Sequence, residues 1–365
     1  MKKILVFLNS MTAAGGIERV VANLANAWSK KYEITILVKD KGDSFYPLNN
    51  KIKIESLGVP LFLDMNSRRK RVYSLVGNLV KNNLKLKKYF VSSNYDYIYV
   101  TTPFNALEIC LLGKGYLDKL VISEHGSKLG YNKYYKLLKK IIYPKAYRIS
   151  VPTTMDVNLY IDEGCAAVYI PHLSTFSAKQ KNQLDSKLVI NIGRLTSDKQ
   201  QLMLLKIWNN VAKKDMLNGW KLQIIGKGEE EKKLLDFIQL NGLNNSVEII
   251  PPSLAVEKIY QKASLFAFTS KFEGFGMVLL EAMSFGIPCI SFDCPSGPRD
   301  IIKEGLNGFL ISCYNMDRYE SQLAVLLKNE NRLIDTLGEN SFSMVANWSN
   351  SEILEMWDAV FQGGT

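Results

Sequence analysis

Histidine is nearly missing from this chain, which has only His125 and His172. Its five cysteines, Cys110, Cys165, Cys289, Cys294 and Cys313, are odd in number, scattered and without paired metal-ligand spacing. That pattern excludes a disulfide framework or a zinc ribbon and reads as reduced, structural thiols. No apolar run approaches the roughly 18 residues that a spanning helix needs. The opening MKKILVFLNS turns polar after five apolar residues, which fits a first strand better than a signal peptide, so the chain is expected to stay in the cytosol. Acidic residues are absent from 65–90 and from 131–148, and these two gaps lead to what is present.

Residues 1–171 hold 26 Lys plus Arg against 13 Asp plus Glu, whereas residues 172–365 hold 20 against 22. All of the excess positive charge therefore belongs to the first half. It concentrates in RRKR at 68–71 with Lys81, Lys85, Lys87 and Lys88, and in six further Lys and Arg within 131–148. Val72, Leu75, Val76, Leu79, Val80 and Leu84 recur at helical spacing in the first segment, as do Tyr134, Leu137, Leu138, Ile141 and Ile142 in the second. Basic amphipathic helices of this kind attract an anionic membrane surface or a phosphorylated acceptor, or they pack on a core and present a solvated basic face. Nucleic acid is not expected, because aromatic or glycine-rich recognition motifs are absent.

At 365 residues two domains are expected. Short β-rich runs alternate with helical patterns in both halves: KKILVFL, YEITILV, KIKIESL, YDYIYVT, KLVISE, YRISVP and AVYIP, then KLVINIG, WKLQIIG, SVEIIP, SLFAFTS, PCISFD and NGFLI. Such alternation predicts two doubly wound α/β domains, joined by the polar stretch 172–187. Ligands collect beyond the carboxyl ends of strands in these folds, which directs attention to the loops there.

Four loops carry chemistry. Gly15 and Gly16 follow the first strand and precede a helix, where they either admit an anionic ligand or simply turn the chain. GRLTSDKQ places Arg194 and Lys199 after KLVINIG, two cations suited to a diphosphate. Gly226 and Gly228 in IIGKGEEEKK border a nucleotide or form a tight turn. In TSKFEGFGMVLLEAMSFG, Glu273 stands before a Gly274-Phe275-Gly276 turn, the amides of Met277 and Val278 open a helix, and Glu281 lies a turn into it. A lone acid in that apolar helix needs a partner such as ligand hydroxyls. The two carboxylates read as hydroxyl acceptors at either end of a ligand whose middle is an anion.

Together, EGFGMVLLEAMSFGIPCI, GRLTSDK and GGIERV resemble the retaining GT-B glycosyltransferases of family 4 (glycosyl transferases group 1), in order and over nearly the whole chain. The resemblance implies two doubly wound Rossmann-like domains facing across a cleft. Residues 1–171 would take the acceptor and 184–348 the nucleotide sugar, with a last helix at 349–365 crossing back onto the first domain. It implies that Glu273 and the turn Gly274, Phe275 and Gly276 hold the donor sugar, that the amides of Met277 and Val278 hold the diphosphate, and that Glu281 holds the ribose. Arg194 and Lys199 would neutralise the leaving diphosphate, and Gly15 and Gly16 would contact it from the other domain. His125, in ISEHG, matches the family's histidine near the reacting sugar, though a structural loop histidine is the alternative. His172 stands at the hinge where the family has Asn-Gly and reads as structural. Pro251 and Pro252 occupy positions where glycine is usual, and Asp300 stands in place of Glu.

By the same resemblance, a hexose or N-acetylhexosamine passes from a UDP-sugar to a lipid-linked or glycan acceptor. The setting implied is bacterial capsule, exopolysaccharide or lipopolysaccharide synthesis, at the inner face of the plasma membrane. No Asp-x-Asp pair occurs, so no metal is expected to clamp the diphosphate and no cofactor is needed. Helix amides and cations would carry the developing charge. The rival readings are a nucleotide-sugar epimerase or hydrolase on the same architecture, and a non-catalytic nucleotide-sugar-binding protein that docks on membranes.

Overall fold

The structure, a computed structural model, describes residues 1–13, 15–59, 68–176, 180–253 and 255–363, with backbone alone for 68–76. In chain order, the elements of the first half are β1 (Lys3–Leu8), α1 (Gly16–Trp28), β2 (Glu33–Val38), β3 (Lys53–Ser56), α2 (Arg68–Val91), β4 (Tyr97–Val100), α3 (Pro103–Cys110), β5 (Leu120–Ser123), α4 (Lys133–Ile142), β6 (Arg148–Val151), α5 (Thr154–Ile161) and β7 (Ala167–Tyr169). The second half contains β8 (Leu188–Ile192), α6 (Gln201–Lys213), β9 (Lys221–Ile225), α7 (Glu231–Leu240), β10 (Val247–Ile250), α8 (Val256–Tyr260), β11 (Leu265–Phe268), α9 (Met277–Ser284), β12 (Cys289–Phe292), α10 (Pro298–Ile301), β13 (Gly308–Ile311), α11 (Met316–Lys328) and α12 (Leu333–Met344). Last comes α13 (Asn350–Gln362). The chain divides into two compact units, 1–173 with 350–365, and 174–349. No described helix is long and apolar enough to cross a membrane.

Each of the thirteen β-rich runs read from the sequence is a strand, and every strand pairing is parallel. The first sheet has the order β3-β2-β1-β4-β5-β6-β7, and the second β10-β9-β8-β11-β12-β13. Both are doubly wound α/β sheets, as expected. Central strands covered on both faces read as continuous apolar runs: Ile4 to Leu8 in β1 are all buried, and so are Leu265 to Phe268 in β11. The strand order reverses between β1 and β4 in one sheet and between β8 and β11 in the other. Crevices at the carboxyl ends of those strand pairs are where such sheets receive ligands.

In the first unit, α1 buries Val20, Val21, Leu24, Ala25 and Trp28 at helical spacing. Pro103 opens α3 behind Thr102, whose hydroxyl accepts from the Asn105 amide. The closing helix α13 belongs to this unit: Trp357 and Phe361 meet the Trp28 ring edge-on at 5.0 and 5.1 Å, and Tyr32 donates to Asp358 Oδ1 at 2.7 Å. Within the stretch 172–187, His172, Leu173 and Leu184 are buried, whereas Gln180, Lys181, Gln183 and Asp185 to Lys187 are exposed.

The described side chains of the two basic helices bury only part of the face that their periodicity predicts. In α4, Tyr134, Leu137 and Ile141 are 60, 59 and 53% exposed, whereas Lys139 is buried beside Ile142. In α2, Val80 and Leu84 face solvent while Asn82, Leu86 and Phe90 are buried. The reason is electrostatic pairing. Lys139 Nζ lies 2.5 Å from the buried Glu124 carboxylate, and Asn82 donates to buried Glu108, which also takes Lys39 Nζ at 2.6 Å. A paired buried charge tolerates the interior, so Lys139 shares the inward side of α4 with Leu138 and Ile142 while Tyr134, Leu137 and Ile141 are left outside. Residues 65–67 lie outside the described residues, as do the side chains of RRKR, Val72, Leu75 and Val76.

Candidate functional site

In the second unit the loops after β8 and β11 lie side by side because those strands are neighbours at the order reversal. The β8 loop is built on the β9 loop. Leu195 N donates to Lys227 O and Glu230 N to Leu195 O, each at 3.0 Å. A Cβ on Gly226 would sit 2.0 Å from Gly193 O, and one on Gly228 2.2 Å from Leu195 O. These two glycines let the loops press backbone to backbone. The β11 loop then joins: Lys271 N donates to Asp198 O at 2.7 Å, and the Thr269 hydroxyl donates to Lys199 O at 3.1 Å.

This scaffold brings Lys199 and Glu273 together. Lys199 Nζ donates to Glu273 Oε1 at 2.5 Å, and Ser270 Oγ donates to the same oxygen at 2.8 Å. Both charged side chains are mostly buried, and such short charge-assisted contacts hold their partners firmly. Arg194 stands apart. Its side chain is 76% exposed and only 4.0 Å from Asp198 Oδ2, so the two cations read as a pair from the sequence occupy different environments.

Gly274 and Phe275 are buried, and Gly276 caps α9 at φ +88°, a left-handed conformation that costs any L side chain energy. Behind the turn, Gly297 lies so close that a Cβ there would be 2.3 Å from Phe275 O. Met277 and Val278 begin the helix, and helix geometry gives their amides no acceptor inside it. Positive dipole and directed amides favour an anion at this end of α9, four residues after Glu273 in the chain. One turn on, Glu281 is 2% exposed, and its Oε2 accepts from Tyr260 Oη at 2.8 Å. This lone acid of an apolar helix thus has a protein phenol as one partner among the described residues. Tyr260 lies 21 residues upstream, a separation that carries no periodic signal.

In the first unit, Gly15 is the N-cap of α1 at φ −95°, and a Cβ on Gly16 would meet nothing within 4 Å. Their backbone does not demand glycine. Ala14 lies outside the described residues. His125 follows β5, and its ring stacks on that of His172 at 4.9 Å and 14°. Its Nε2 is buried without a hydrogen-bond partner among the described residues. Burial, then the nearby Lys139 charge, pushes the His125 pKa down to about 4, and burial also holds His172 well below the usual histidine range. Both are neutral imidazoles at pH 7, able to donate and accept hydrogen bonds. Behind them, Glu124 takes Lys139, Tyr160 at 2.9 Å and Tyr143, while the Lys139 ammonium lies 3.3 Å from the centre of the Tyr131 ring. None of this buried network was legible in the motif ISEHG.

Two family models divide the chain between them. Glycosyltransferase Family 4 matches residues 14–172, and glycosyl transferases group 1 matches residues 174–344. The amylovoran biosynthesis glycosyltransferase AmsD of Erwinia amylovora is 28% identical, covering 99% of both chains. A Campylobacter jejuni α-1,4-N-acetyl-D-galactosaminyltransferase, named for an acceptor carried on PP-undecaprenol, is 27% identical over 96% of both. Among solved structures, a point mutant of S. aureus TarM, in complex with fondaparinux, α-GlcNAc-glycerol and UDP, superposes with a TM-score of 0.80 at 16% identity, covering 99% of this chain and all of that one.

Proposed function

Because the chain belongs to the GT-B glycosyltransferases of family 4 and group 1, of bacterial surface-polysaccharide type, we propose that it moves a hexose or N-acetylhexosamine from a UDP-sugar to a lipid-linked glycan acceptor with retention of anomeric configuration. One observation carries this reading: the 2.5 Å contact of Lys199 with Glu273 at the N-terminal end of α9. It pairs a carboxylate able to accept hydroxyls with a cation able to neutralise phosphate, just ahead of the free amides of α9 in the chain. Sugar hydroxyls would replace Lys199 as donors to Glu273, and Lys199 would turn to the diphosphate. The amides of Met277 and Val278 would take the phosphate oxygens, and Glu281 the ribose. Charge that builds on the leaving diphosphate is then met by fixed donors, with the more exposed Arg194 supplying a weaker, screened share.

Retention follows if the acceptor hydroxyl attacks from the face that the diphosphate leaves, its proton passing to the departing phosphate oxygen. Neutral His125, in the first unit, would orient a hydroxyl by hydrogen bonding. No metal is assigned a part on this reading: Lys199 and the amides of Met277 and Val278 would meet the phosphate instead.

The acceptor's lipid carrier also gives the outward faces of α2 and α4 a use. Exposed Tyr134, Leu137 and Ile141 amid lysines match an anionic bilayer surface, apolar groups entering the interface and ammonium groups meeting phosphates.

The test is transfer to a polyprenyl-diphosphate-linked glycan from a panel of UDP-sugars, scored by product mass, with donor-only controls and with a chelator. Glu273→Ala is expected to abolish product while circular dichroism stays unchanged. Turnover of donor alone would favour a hydrolase or epimerase.

A further inference from the structure

The acid that reaches into α9 does not stand by itself. Tyr260 is the last residue of α8 and is fully buried. Its ring stacks on Phe285 at 5.6 Å with planes 4° apart and on Phe266 at 6.4 Å and 18°, and Phe176 meets it edge-on at 5.8 Å. Phe266 belongs to β11 and Phe285 directly follows α9, so the ring plane is set by the elements on either side of the EGFG turn. Its backbone is pinned as well. Asn182 Nδ2 donates to Tyr260 O at 2.7 Å and to Ala263 O at 3.1 Å, while the Asn182 amide donates to Phe285 O at 2.8 Å. A single residue thereby ties the ends of α8 and α9 together, and with the ring and both helix ends held, the phenolic oxygen has little freedom. It lies 2.8 Å from Glu281 Oε2 and 3.5 Å from Val278 O.

A neutral donor on a carboxylate that is 2% exposed does two things. It satisfies a buried acceptor that would otherwise be costly, and it selects one rotamer. We propose that Tyr260 is a positioning residue for the nucleotide: it orients Glu281, so that the carboxylate is already aimed when the ribose hydroxyls arrive. This rests on the reading of Glu281 as the ribose acceptor. The gain is in preorganisation, because a side chain fixed before binding loses no rotamer freedom on binding. Phenylalanine at 260 keeps the aromatic stack and removes only the hydroxyl, which makes Tyr260→Phe the discriminating variant.

The experiment uses the full-length protein and calorimetric titration with UDP and with 2′-deoxy-UDP, which keeps the diphosphate and drops one ribose hydroxyl. Wild type is expected to prefer UDP. Tyr260→Phe is expected to weaken UDP about tenfold and to shrink the preference, since a hydrogen bond to a charged group is being removed. KM for the sugar donor should rise with kcat within about twofold, because the reacting centre is untouched. Glu281→Gln should collapse the preference, and the double variant should be no weaker than Glu281→Gln, since the phenol acts only through the carboxylate. The ratio of the two affinities does not depend on how much of a sample is folded, so partial loss of stability does not blur it. If Glu281→Gln leaves the preference intact, the ribose reading falls and takes this proposal with it. If Glu281→Gln collapses the preference but Tyr260→Phe keeps it, or the losses multiply in the double variant, the positioning role alone is overturned.

Discussion

Lys199 and Arg194 show how a single side chain's surroundings decide its worth. Both are cations in one loop, yet Lys199 is mostly buried and aligned on Glu273, whereas Arg194 extends into water. Buried, oriented charges act at low dielectric, and exposed ones are screened. Lys199→Met is therefore expected to lower kcat by about a hundredfold or more, and Arg194→Ala by less than about tenfold; steady-state kinetics with saturating donor separates them. The histidine pair makes a second prediction at this scale. Both pKa values lie below the ordinary histidine value, so the folded form resists protons that the unfolded chain accepts. Stability is full above about pH 6.5 and falls as the pH drops from there toward 4, the window in which only the unfolded histidines charge. Thermal unfolding of the first unit should lose several degrees between pH 7 and 5, and the His125→Gln/His172→Asn double variant should flatten that slope. The motifs made Lys199, Glu273 and His125 visible as candidates, but not their partners. Which side chains touch is set by which strands lie next to each other, and a linear motif does not encode that.

Elements were legible to different degrees, for physical reasons. Strands buried on both faces, such as β4, β5, β11 and β12, leave short uninterrupted apolar runs, whereas the less buried β3, β7 and β10 were legible from β-rich composition alone. Helices α2 and α4 were legible as helices but not in orientation. Their period was right, yet burial of Lys139 against Glu124 turned α4 so that Leu137 and Ile141 face out. An exposed apolar stripe flanked by lysines suits a surface of opposite charge, and on the proposed reading α4 would act as a shallow anchor. Leu137→Glu/Ile141→Glu is expected to abolish sedimentation with phosphatidylglycerol vesicles while transfer to a short water-soluble acceptor persists. Raising salt should weaken wild-type binding as well, each lysine near the surface contributing on the order of 1 kcal/mol. Vesicle binding equal to wild type in the double variant would remove the anchor from α4.

For the whole molecule, the charge asymmetry and the two-sheet plan could be read from composition and alternation, but the assignment of α13 rests on tertiary contacts. Trp357 and Phe361 complete an aromatic cluster around Trp28 and Tyr99 in the unit that holds the start of the chain. Removing a buried tryptophan costs about 3–5 kcal/mol. Trp357→Ala should therefore lower the urea midpoint of the first unit and leave that of residues 174–349 in place, which hydrogen exchange by mass spectrometry resolves unit by unit.

That placement of α13 also bears on how the protein is made. The first sheet leaves the ribosome early, but the hydrophobic seat beside Trp28 stays open until residues past 350 have been synthesised, after the entire second unit. A nascent chain would thus carry an uncovered aromatic patch through most of its translation, and the second unit has the opportunity to reach its native state before the first one is complete.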